Sequence, residues 1–360
     1  MGRREDTVWE RKPHTKAKHE ILRRYLDAWL PIMSRFNARL LILDGFAGPG
    51  EYSDGSDGSP LIALNALTEH RNTSTDCEYV FLFNDHDRKR CENLAMLLAA
   101  RNDPDYVKVR VENMPFTDAV ATLLDNLGDK TLAPLFAFVD PFGYRAIPIA
   151  TLRDLFAYDK SELLIYLDLN SLVRFGTAST VDGRLTELFG TDHFKSAPPE
   201  GPERWTFFLT LYERQLQDLC GFTYTRGFVM FGENNKPVCA LVYATRHRKG
   251  MEVMKEAMWK VDPTGSFSFF DSTAGMQTLL GSAPDLTALA KAIHGGFAAR
   301  SATVEEVEIF VYTETPNKRT HTRQALKLLE TQGSIIGVET WSGRPRRRNT
   351  YPERCTITFT

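Results

Sequence analysis

The amino-acid sequence predicts an α/β fold, in which a mostly parallel sheet is covered by helices on both faces. Short apolar runs alternate with segments of helical periodicity from residue 38 onward. These runs are apolar almost throughout, which is typical of strands whose two faces are both buried. The alternation ends in two runs, 226–232 and 238–247, that are separated by a short turn. This last pair predicts an antiparallel hairpin at the end of the sheet.

The elements are predicted in order along the chain. An amphipathic helix over 15–33 carries apolar residues at helical spacing. Strands are predicted at 38–44, 78–85, 106–113, 135–140 and 162–170, with helices at 59–70, 87–101 and 117–127. Ser59 is the predicted N-cap of the helix over 59–70, with Pro60 at its first position. Five βα units followed by a hairpin are typical of class I S-adenosylmethionine-dependent methyltransferases, which have a Rossmann-like fold.

The pattern changes after residue 284. Helices are predicted near 286–299, 303–313 and 320–331, and Thr303 with Glu306 matches a capping box at the start of the second. Two apolar runs then flank the basic segment SGRPRRRNTYPE. Helices followed by a hairpin with a basic tip predict a winged helix. We therefore expect a Rossmann-like methyltransferase domain over 1–284 and a winged-helix domain over 285–360.

Composition excludes several classes of protein. The 360 residues include 44 Lys and Arg against 46 Asp and Glu, so any nucleic-acid contact must come from a local basic patch. The five cysteines are scattered without a CxxC pair, which argues against a zinc site and suits a reducing cytoplasm. The N-terminus is too charged for a signal peptide, and no apolar run reaches the roughly 18 residues of a membrane span. We expect a cytoplasmic protein without a metal ion or membrane contact.

A glycine-rich segment, LLILDGFAGPGEY, follows the first predicted strand directly. Glycines allow a tight turn and a close approach of the backbone to a ligand. A phosphate loop is disfavoured because the Lys-Ser/Thr signature is missing and the acidic residues that follow would repel phosphate. Those carboxylates tolerate the sulfonium and ammonium groups of S-adenosylmethionine, so a cofactor role is favoured over a structural turn. The candidate residues are Asp44, Gly45, Phe46, Gly48 and Gly50.

The next two strand ends extend this candidate site. Asp85 ends the second strand, where a carboxylate can accept both ribose hydroxyls of the cofactor. Asp87 is the second choice, although it looks more like the N-cap of the following helix. Asn113 and the backbone of Met114 follow the third strand and could read an adenine edge. An ordinary turn is an equal alternative there.

The fourth predicted strand ends in FVDPFGY, beside the first strand at the crevice where doubly wound sheets bind ligands. Asp140 and the Pro141 carbonyl could accept hydrogen bonds from an exocyclic amine. Phe142 or Tyr144 could stack on a base. Two acceptors would aim the nitrogen lone pair at a methyl group, which is the main requirement of amine methylation. The alternative is a Pro-Phe-Gly turn without a catalytic role.

Two groups of basic residues remain. Near the start of the first helix we expect His14, Lys16, Lys18 and His19 to be solvated or capping residues, with cofactor or substrate contact by His19 as the alternative. The predicted wing and the preceding helix form a candidate nucleic-acid surface, because each arginine can neutralise a phosphate. Its residues are Arg319, His321, Arg323, Arg344, Arg346, Arg347 and Arg348.

Several segments resemble known families. The D-P-F-G quartet at 140–143 resembles the equivalent segment of tRNA guanine-N2 dimethyltransferases and, more loosely, the D/N-P-P-Y box of amino-group methyltransferases, although Phe142 replaces the second proline. Almost the whole chain resembles the three-Cys-motif partner proteins, TcmP. This resemblance rests on HTKAKHEILRRYLDAWL, DGFAGPGEY with GSPLIAL, GMEVMKEAMWKVDPTG, and ALKLLETQGSI with RRRNTYPE. It implies a methyltransferase-like fold and association with a three-cysteine, radical-SAM-like protein.

The expected function is S-adenosylmethionine-dependent methyl transfer to a nucleic acid, on an RNA or DNA base nitrogen. The alternative is a non-catalytic partner that keeps the methyltransferase shape and binds nucleic acid or the three-cysteine protein.

Overall fold

The computed structural model describes residues 12–128, 130–141, 147–176, 182–232, 234–262, 268–270, 284–343 and 345–360. The chain forms two compact units. The first contains Met1–Ala257 and Ser268–Gly275, and the second contains Met258–Phe267 and Met276–Thr360.

An eight-stranded sheet is the centre of the first unit. Its strands are β1 (Arg39–Asp44), β2 (Glu78–Asn84), β3 (Val107–Glu112), β4 (Leu135–Val139), β5 (Ser161–Leu167), β6 (Tyr224–Phe231), β7 (Pro237–Thr245) and β8 (Ser268–Phe270). Their order is β3-β2-β1-β4-β5-β7-β6-β8. Neighbours from β3 to β5 are parallel, whereas β7 is antiparallel to both β5 and β6. The predicted α/β Rossmann-like fold and its antiparallel hairpin are confirmed. The short parallel strand β8 beside β6 was not predicted.

Helices of the first unit connect and cover these strands. They are α1 (Pro13–Ser34), α2 (Ser59–Thr68), α3 (Arg88–Ala99), α4 (Phe116–Leu127), α5 (Ile149–Leu155), α6 (Leu169–Phe175), α7 (Asp182–Phe189), α8 (Pro202–Cys220) and α9 (Arg248–Val261), the last of which spans the division between the units. A 3-10 helix covers His193–Ser196. None of the helices among the described residues is both long and apolar enough to cross a bilayer.

The prediction of Ser59 as an N-cap was wrong by one position. Gly58 is the N-cap of α2, with an extended backbone at φ −79° and ψ 175°. Ser59 is therefore the first helical residue and Pro60 the second, a position that also needs no intrahelical N–H donor.

Both faces of the sheet are buried. On one face, Leu135, Ala137 and Val139 of β4 belong to a core that includes apolar residues of α4, α5 and α8. On the other face, Phe136 packs against Tyr25 and Trp29 of α1, with ring centroids 5.2 and 5.9 Å apart. Alternate residues of one strand thus enter two different cores, which explains why the strands are apolar throughout.

The second unit has its own small core. After the end of α9 it contains α10 (Leu286–Phe297), β9 (Ser301–Thr303), α11 (Val304–Glu314), α12 (Arg319–Thr331), β10 (Ile335–Glu339) and β11 (Thr356–Phe359). The three strands form an antiparallel sheet in the order β10-β11-β9. Thr303 and Glu306 form the predicted capping box at the start of α11.

Candidate functional site

Three carboxylates lie at the carboxyl edge of the parallel strands. Asp44 is the last residue of β1, Asp85 follows β2 and Asp140 follows β4. Strand β1 lies between the other two, and its last residue is paired with Phe83 on one side and Phe138 on the other. The sheet reverses its direction of connection here, which is the position where open α/β sheets bind ligands.

The glycine segment after β1 is held to both neighbouring strands by backbone hydrogen bonds. The Gly45 amide donates to the Phe138 carbonyl at 2.9 Å, and the Ala47 amide donates to the Asn84 carbonyl at 2.9 Å. The segment is therefore a loop that is hydrogen-bonded across the ends of β4, β1 and β2.

Two glycines of this loop have backbone conformations that other residues rarely adopt. Gly48 has φ 65° and Gly50 has φ 93°. A side chain at Gly50 would also meet α3, because an added Cβ would lie 2.9 Å from methyl carbons of Leu94 and Leu97. The loop then closes on itself, with the Gly58 amide donating to the Gly50 carbonyl at 2.7 Å.

Asp44 is a buried acid with a raised pKa. It is 3% exposed, and burial raises the pKa of its carboxyl group to about 7. The nearby Ser59 hydroxyl and the Phe46 amide, which donates to Oδ1 at 3.1 Å, oppose that rise, whereas the charges of Asp140 and Asp85 add to it. The buried Oδ2 atom accepts no hydrogen bond from the described residues. Asp44 thus offers a desolvated acceptor that a cationic or hydrogen-bonding ligand would satisfy.

Asp85 holds the loop in place. This residue is 1% exposed, and its Oδ2 accepts a hydrogen bond from the Gly48 amide at 3.1 Å while Oδ1 accepts one from the Asp87 amide at 2.8 Å. From the sequence, Asp85 was assigned to the ribose hydroxyls alone, so these two backbone hydrogen bonds were not predicted. The same carboxylate also lies 3.2 Å from Nδ1 of His86 and 3.6 Å from a terminal nitrogen of Arg90. A carboxylate has about four lone-pair positions, so ribose hydroxyls would have to share this acceptor with those side chains. Asp87 caps α3 by accepting from two backbone amides of the first turn, which confirms its alternative role.

The end of β3 is linked to the same loop through Asn84, which sequence reasoning did not select. Its Nδ2 donates to the carbonyls of Gly45 at 3.2 Å and Met114 at 3.1 Å, and its buried Oδ1 has no partner among the described residues. The Asn113 side chain donates to the Asp85 carbonyl at 2.9 Å. Asn113 is therefore engaged in the turn, and the Met114 carbonyl is already an acceptor.

Asp140 forms an ion pair with Lys18 of α1, and the two side chains are 13% and 9% exposed. The Lys18 ammonium also lies 5.3 Å from the centroid of the Tyr166 ring. The expectation that Lys18 is solvated was wrong, because the start of α1 lies close to the end of β4, where Lys18 pairs with Asp140. A lysine is rarely buried unless it is paired. The partner of Lys18 is distant in the sequence, so its burial could not be predicted from the sequence alone.

The other residues predicted near Asp140 and at the start of α1 differ in their outcomes. His19 is 4% exposed and packs on Tyr52 of the glycine loop, with ring centroids 5.6 Å apart, so it is not solvated either. Pro141 is buried. Phe142 and Tyr144 lie outside the described residues.

The second unit contains the candidate nucleic-acid surface, and two of its residues have structural roles instead. Both terminal nitrogens of Arg346 donate to Glu330, at 3.2 and 2.6 Å, and its guanidinium lies 5.1 Å from the Tyr351 ring centroid. His321 is 7% exposed and packs edge-on against Trp259, 4.8 Å between centroids. Buried or paired in this way, neither side chain is available to a phosphate backbone.

The remaining predicted residues of this surface are mostly exposed. Arg319 is exposed but donates to Glu308 at 2.6 Å. Arg323 of α12 and Arg347 and Arg348 between β10 and β11 are exposed, and Arg344 lies outside the described residues.

Metal and thiol chemistry have no obvious site in the part of the chain that the structure describes. No group of three His, Cys, Asp or Glu side chains there could hold a metal ion. The five cysteines are buried free thiols.

Comparisons with known proteins found similar structures only. No protein-family model and no curated protein matches the chain. A protein from Legionella pneumophila is 10% identical, with a TM-score of 0.38 over 63% of this chain and 85% of that one. A candidate O-methyltransferase from Klebsiella pneumoniae is 13% identical, with a TM-score of 0.34 over 64% of this chain and 80% of that one. Human methyltransferase-like protein 13, solved with S-adenosylhomocysteine (SAH), is 11% identical, with a TM-score of 0.35 over 68% of this chain and 91% of that one. At these scores the fold assignment rests on the strand order of the chain itself.

Proposed function

We propose that the chain binds S-adenosylmethionine at the loop 44–50 and transfers its methyl group to a nitrogen of an RNA or DNA base. The observation that carries this proposal is the pair of buried carboxylates, Asp44 and Asp85, on either side of a glycine loop at the carboxyl ends of β1 and β2. In a sheet of this strand order, the crevice at that edge is the expected ligand site.

The residues at this edge fit the cofactor in their chemistry. Besides its carboxylate, S-adenosylmethionine presents an ammonium group, a sulfonium group, two ribose hydroxyls and an exocyclic amine, which are cations or hydrogen-bond donors. The site presents unused buried acceptors to match them, Oδ2 of Asp44 and Oδ1 of Asn84. We assign Asp44 to the ammonium end and Asp85 to the ribose, with the turn at Asn113 and Met114 beside the adenine. A phosphate ligand is an anion, and the carboxylates of this site would repel it.

Asp140 and the Pro141 carbonyl are the proposed acceptors for the target amine. The cofactor supplies an electrophilic methyl group, so the protein must mainly orient the nitrogen lone pair and exclude water. Lys18 forms an ion pair with Asp140 at this position. A substrate amine would have to share or replace this ammonium at the Asp140 carboxylate.

For the second unit we propose a winged helix that contacts the nucleic-acid backbone. Its order of elements, helix, strand, two helices and two strands, supports this assignment, with α12 as the recognition helix and the segment between β10 and β11 as the wing. The exposed Arg323, Arg347 and Arg348 are the proposed phosphate contacts. This unit contains the whole of the proposed domain 285–360, and it also includes Met258–Phe267 and residues 276–284, which the proposal assigns to the methyltransferase domain 1–284.

A second candidate function is a non-catalytic partner of a three-cysteine, radical-SAM-like protein, as the resemblance to TcmP implies. The ion pair of Lys18 with Asp140 favours this candidate, because it occupies the carboxylate that the amine would need. In this case the chain would keep the fold as a binding surface.

Transfer of labelled methyl groups from S-adenosylmethionine to mixed RNA and DNA tests the proposal. We expect label in base nitrogens, and we expect Asp140→Asn to abolish it while binding of cofactor and nucleic acid persists. Cofactor binding without transfer to any nucleic acid would reject the substrate class. No binding at about 1 mM cofactor would reject the enzyme and favour the partner role.

A further inference from the structure

A cavity of about 270 Å³ lies at the amino edge of the sheet, on the side opposite the glycine loop. Glu162, the second residue of β5, forms part of its base, and Asn37, two residues before β1, lies at its mouth. Strand β5 runs from this edge to the other, so about 15–20 Å separates the cavity from the proposed cofactor site. The cavity is large enough for a molecule with one or two rings.

The base of the cavity contains a buried carboxylate. Glu162 is 5% exposed, and its two oxygens accept hydrogen bonds from the hydroxyls of Tyr25 and Thr245, the latter at 3.0 Å. Burial raises the pKa of this carboxyl group, and the hydroxyl donors, Tyr243 among them, oppose that rise. Even three hydroxyl donors leave one of its roughly four lone-pair positions for a ligand N–H or O–H group.

Apolar and aromatic side chains form the walls. Trp29, Met33 and Val253 are among the residues that line the cavity. Phe36 lies at the mouth and is 81% exposed, which is unusual for a phenylalanine. Such walls favour a flat ring, and Phe36 could cover its outer face.

The mouth is basic. Lys160, His247 and Lys249 all line it and are exposed. The Lys160 ammonium donates to the Asn37 side chain at 3.1 Å, and Lys249 lies 3.7 Å from Glu252. Glu252 also accepts a hydrogen bond from Arg248 at 3.1 Å, so it offsets only part of this positive charge. An anion bound here would add a partner for each lysine.

From this distribution of charge we propose a second ligand site, which binds a small aromatic anion with an N–H or O–H donor at the end opposite its negative charge. The donor would reach Glu162, the ring would lie between Trp29 and Phe36, and the anionic group would meet Lys160 and Lys249. The site is independent of the proposed methyl transfer, since it shares none of the residues of the glycine loop.

Titration of 4-aminobenzoate into the full chain, followed by saturation-transfer NMR, tests this inference. We expect saturable binding with a Kd below about 5 mM. Benzoate lacks the donor and aniline lacks the anion, so each should bind about tenfold more weakly. S-Adenosylmethionine should not displace the probe. Displacement would assign it to the glycine loop instead and overturn the second site.

Variants separate the two ends of the ligand. Glu162→Gln should remove the advantage of 4-aminobenzoate over benzoate. Because that change is buried, the exposed double variant Lys160→Met with Lys249→Met gives an independent test, and it should weaken both acids while leaving aniline unchanged. Lys195→Met is the matched control, since Lys195 is an exposed lysine of the same unit that pairs with Asp192. No saturation up to about 20 mM probe, or equal binding by the double variant and the control, would overturn the inference.

Discussion

Replacing Asp44 with asparagine should remove a pH dependence from cofactor binding. Burial raises the pKa of Asp44 to about 7, so the carboxyl group is about one-tenth ionised at pH 6 and nine-tenths ionised at pH 8. The ammonium of the cofactor would bind the ionised form. The Kd for SAH should therefore fall about tenfold between these pH values, or about 1.4 kcal/mol.

Calorimetric titration of SAH at both pH values measures this effect. The amino group of SAH also titrates, but it does so equally for both proteins. The informative quantity is therefore the change in Kd between pH 6 and pH 8 in the wild type, divided by the same change in Asp44→Asn. In two buffers of different ionisation enthalpy at pH 7, the wild type should release about half a proton more than the variant. Identical pH dependence and proton release in the two proteins would refute the role given to Asp44.

The same carboxyl group should affect stability in a defined direction. Its pKa in the folded protein lies above the ordinary value of 3.8, so the native state holds a proton that the unfolded chain has lost between about pH 4 and pH 7. Its contribution to stability is present below pH 4 and is lost as the pH rises to 7, by up to about 4 kcal/mol. Asp44→Asn should therefore gain stability relative to wild type over this window, measured by urea unfolding. A difference that is constant with pH would contradict the assigned pKa.

Three other variants test separate parts of the account. Gly48→Val should abolish SAH binding in equilibrium dialysis. It should also lower the free energy of unfolding by about 1–2 kcal/mol, because Gly48 has φ 65°. Gly55→Val is the control: Gly55 has φ 76° and open space around it, so this variant should lose stability in the same way but keep SAH binding. Arg347→Ala with Arg348→Ala should flatten the salt dependence of duplex binding by about 0.9 in log–log slope for each lost phosphate contact, and an unchanged slope in fluorescence anisotropy would exclude the wing. Arg346→Ala should instead destabilise the second unit by about 3 kcal/mol in thermal unfolding, since it breaks a mostly buried ion pair, and a duplex-binding defect without such a loss would contradict its structural role.

The sequence was sufficient for those parts of the fold that depend on local patterns. Strands that are apolar on both faces, a glycine turn directly after the first of them, and the terminal hairpin are each visible within about ten residues. The capping box at Thr303 and the cap at Asp87 are local in the same way, and both are present. The expected position of the fourth strand beside the first is also confirmed.

Contacts between distant segments could not be predicted. Lys18 and Asp140 are 122 residues apart, and nothing near Lys18 indicates that α1 places it at the end of β4. Arg346 is one of three consecutive arginines, yet it alone among them is only partly exposed, because Glu330 and Tyr351 lie under it. Composition identifies a basic run, but only packing decides which of its charges face solvent.

Binding of labelled S-adenosylmethionine to the full chain at pH 8 tests the central claim most directly. Equilibrium dialysis should give one mole of cofactor per mole of chain, with binding lost in Gly48→Val and kept in the double variant of Arg347 and Arg348. Absence of saturable binding up to about 1 mM cofactor, or saturable binding that Gly48→Val leaves unchanged, would contradict the assignment of the glycine loop as the cofactor site.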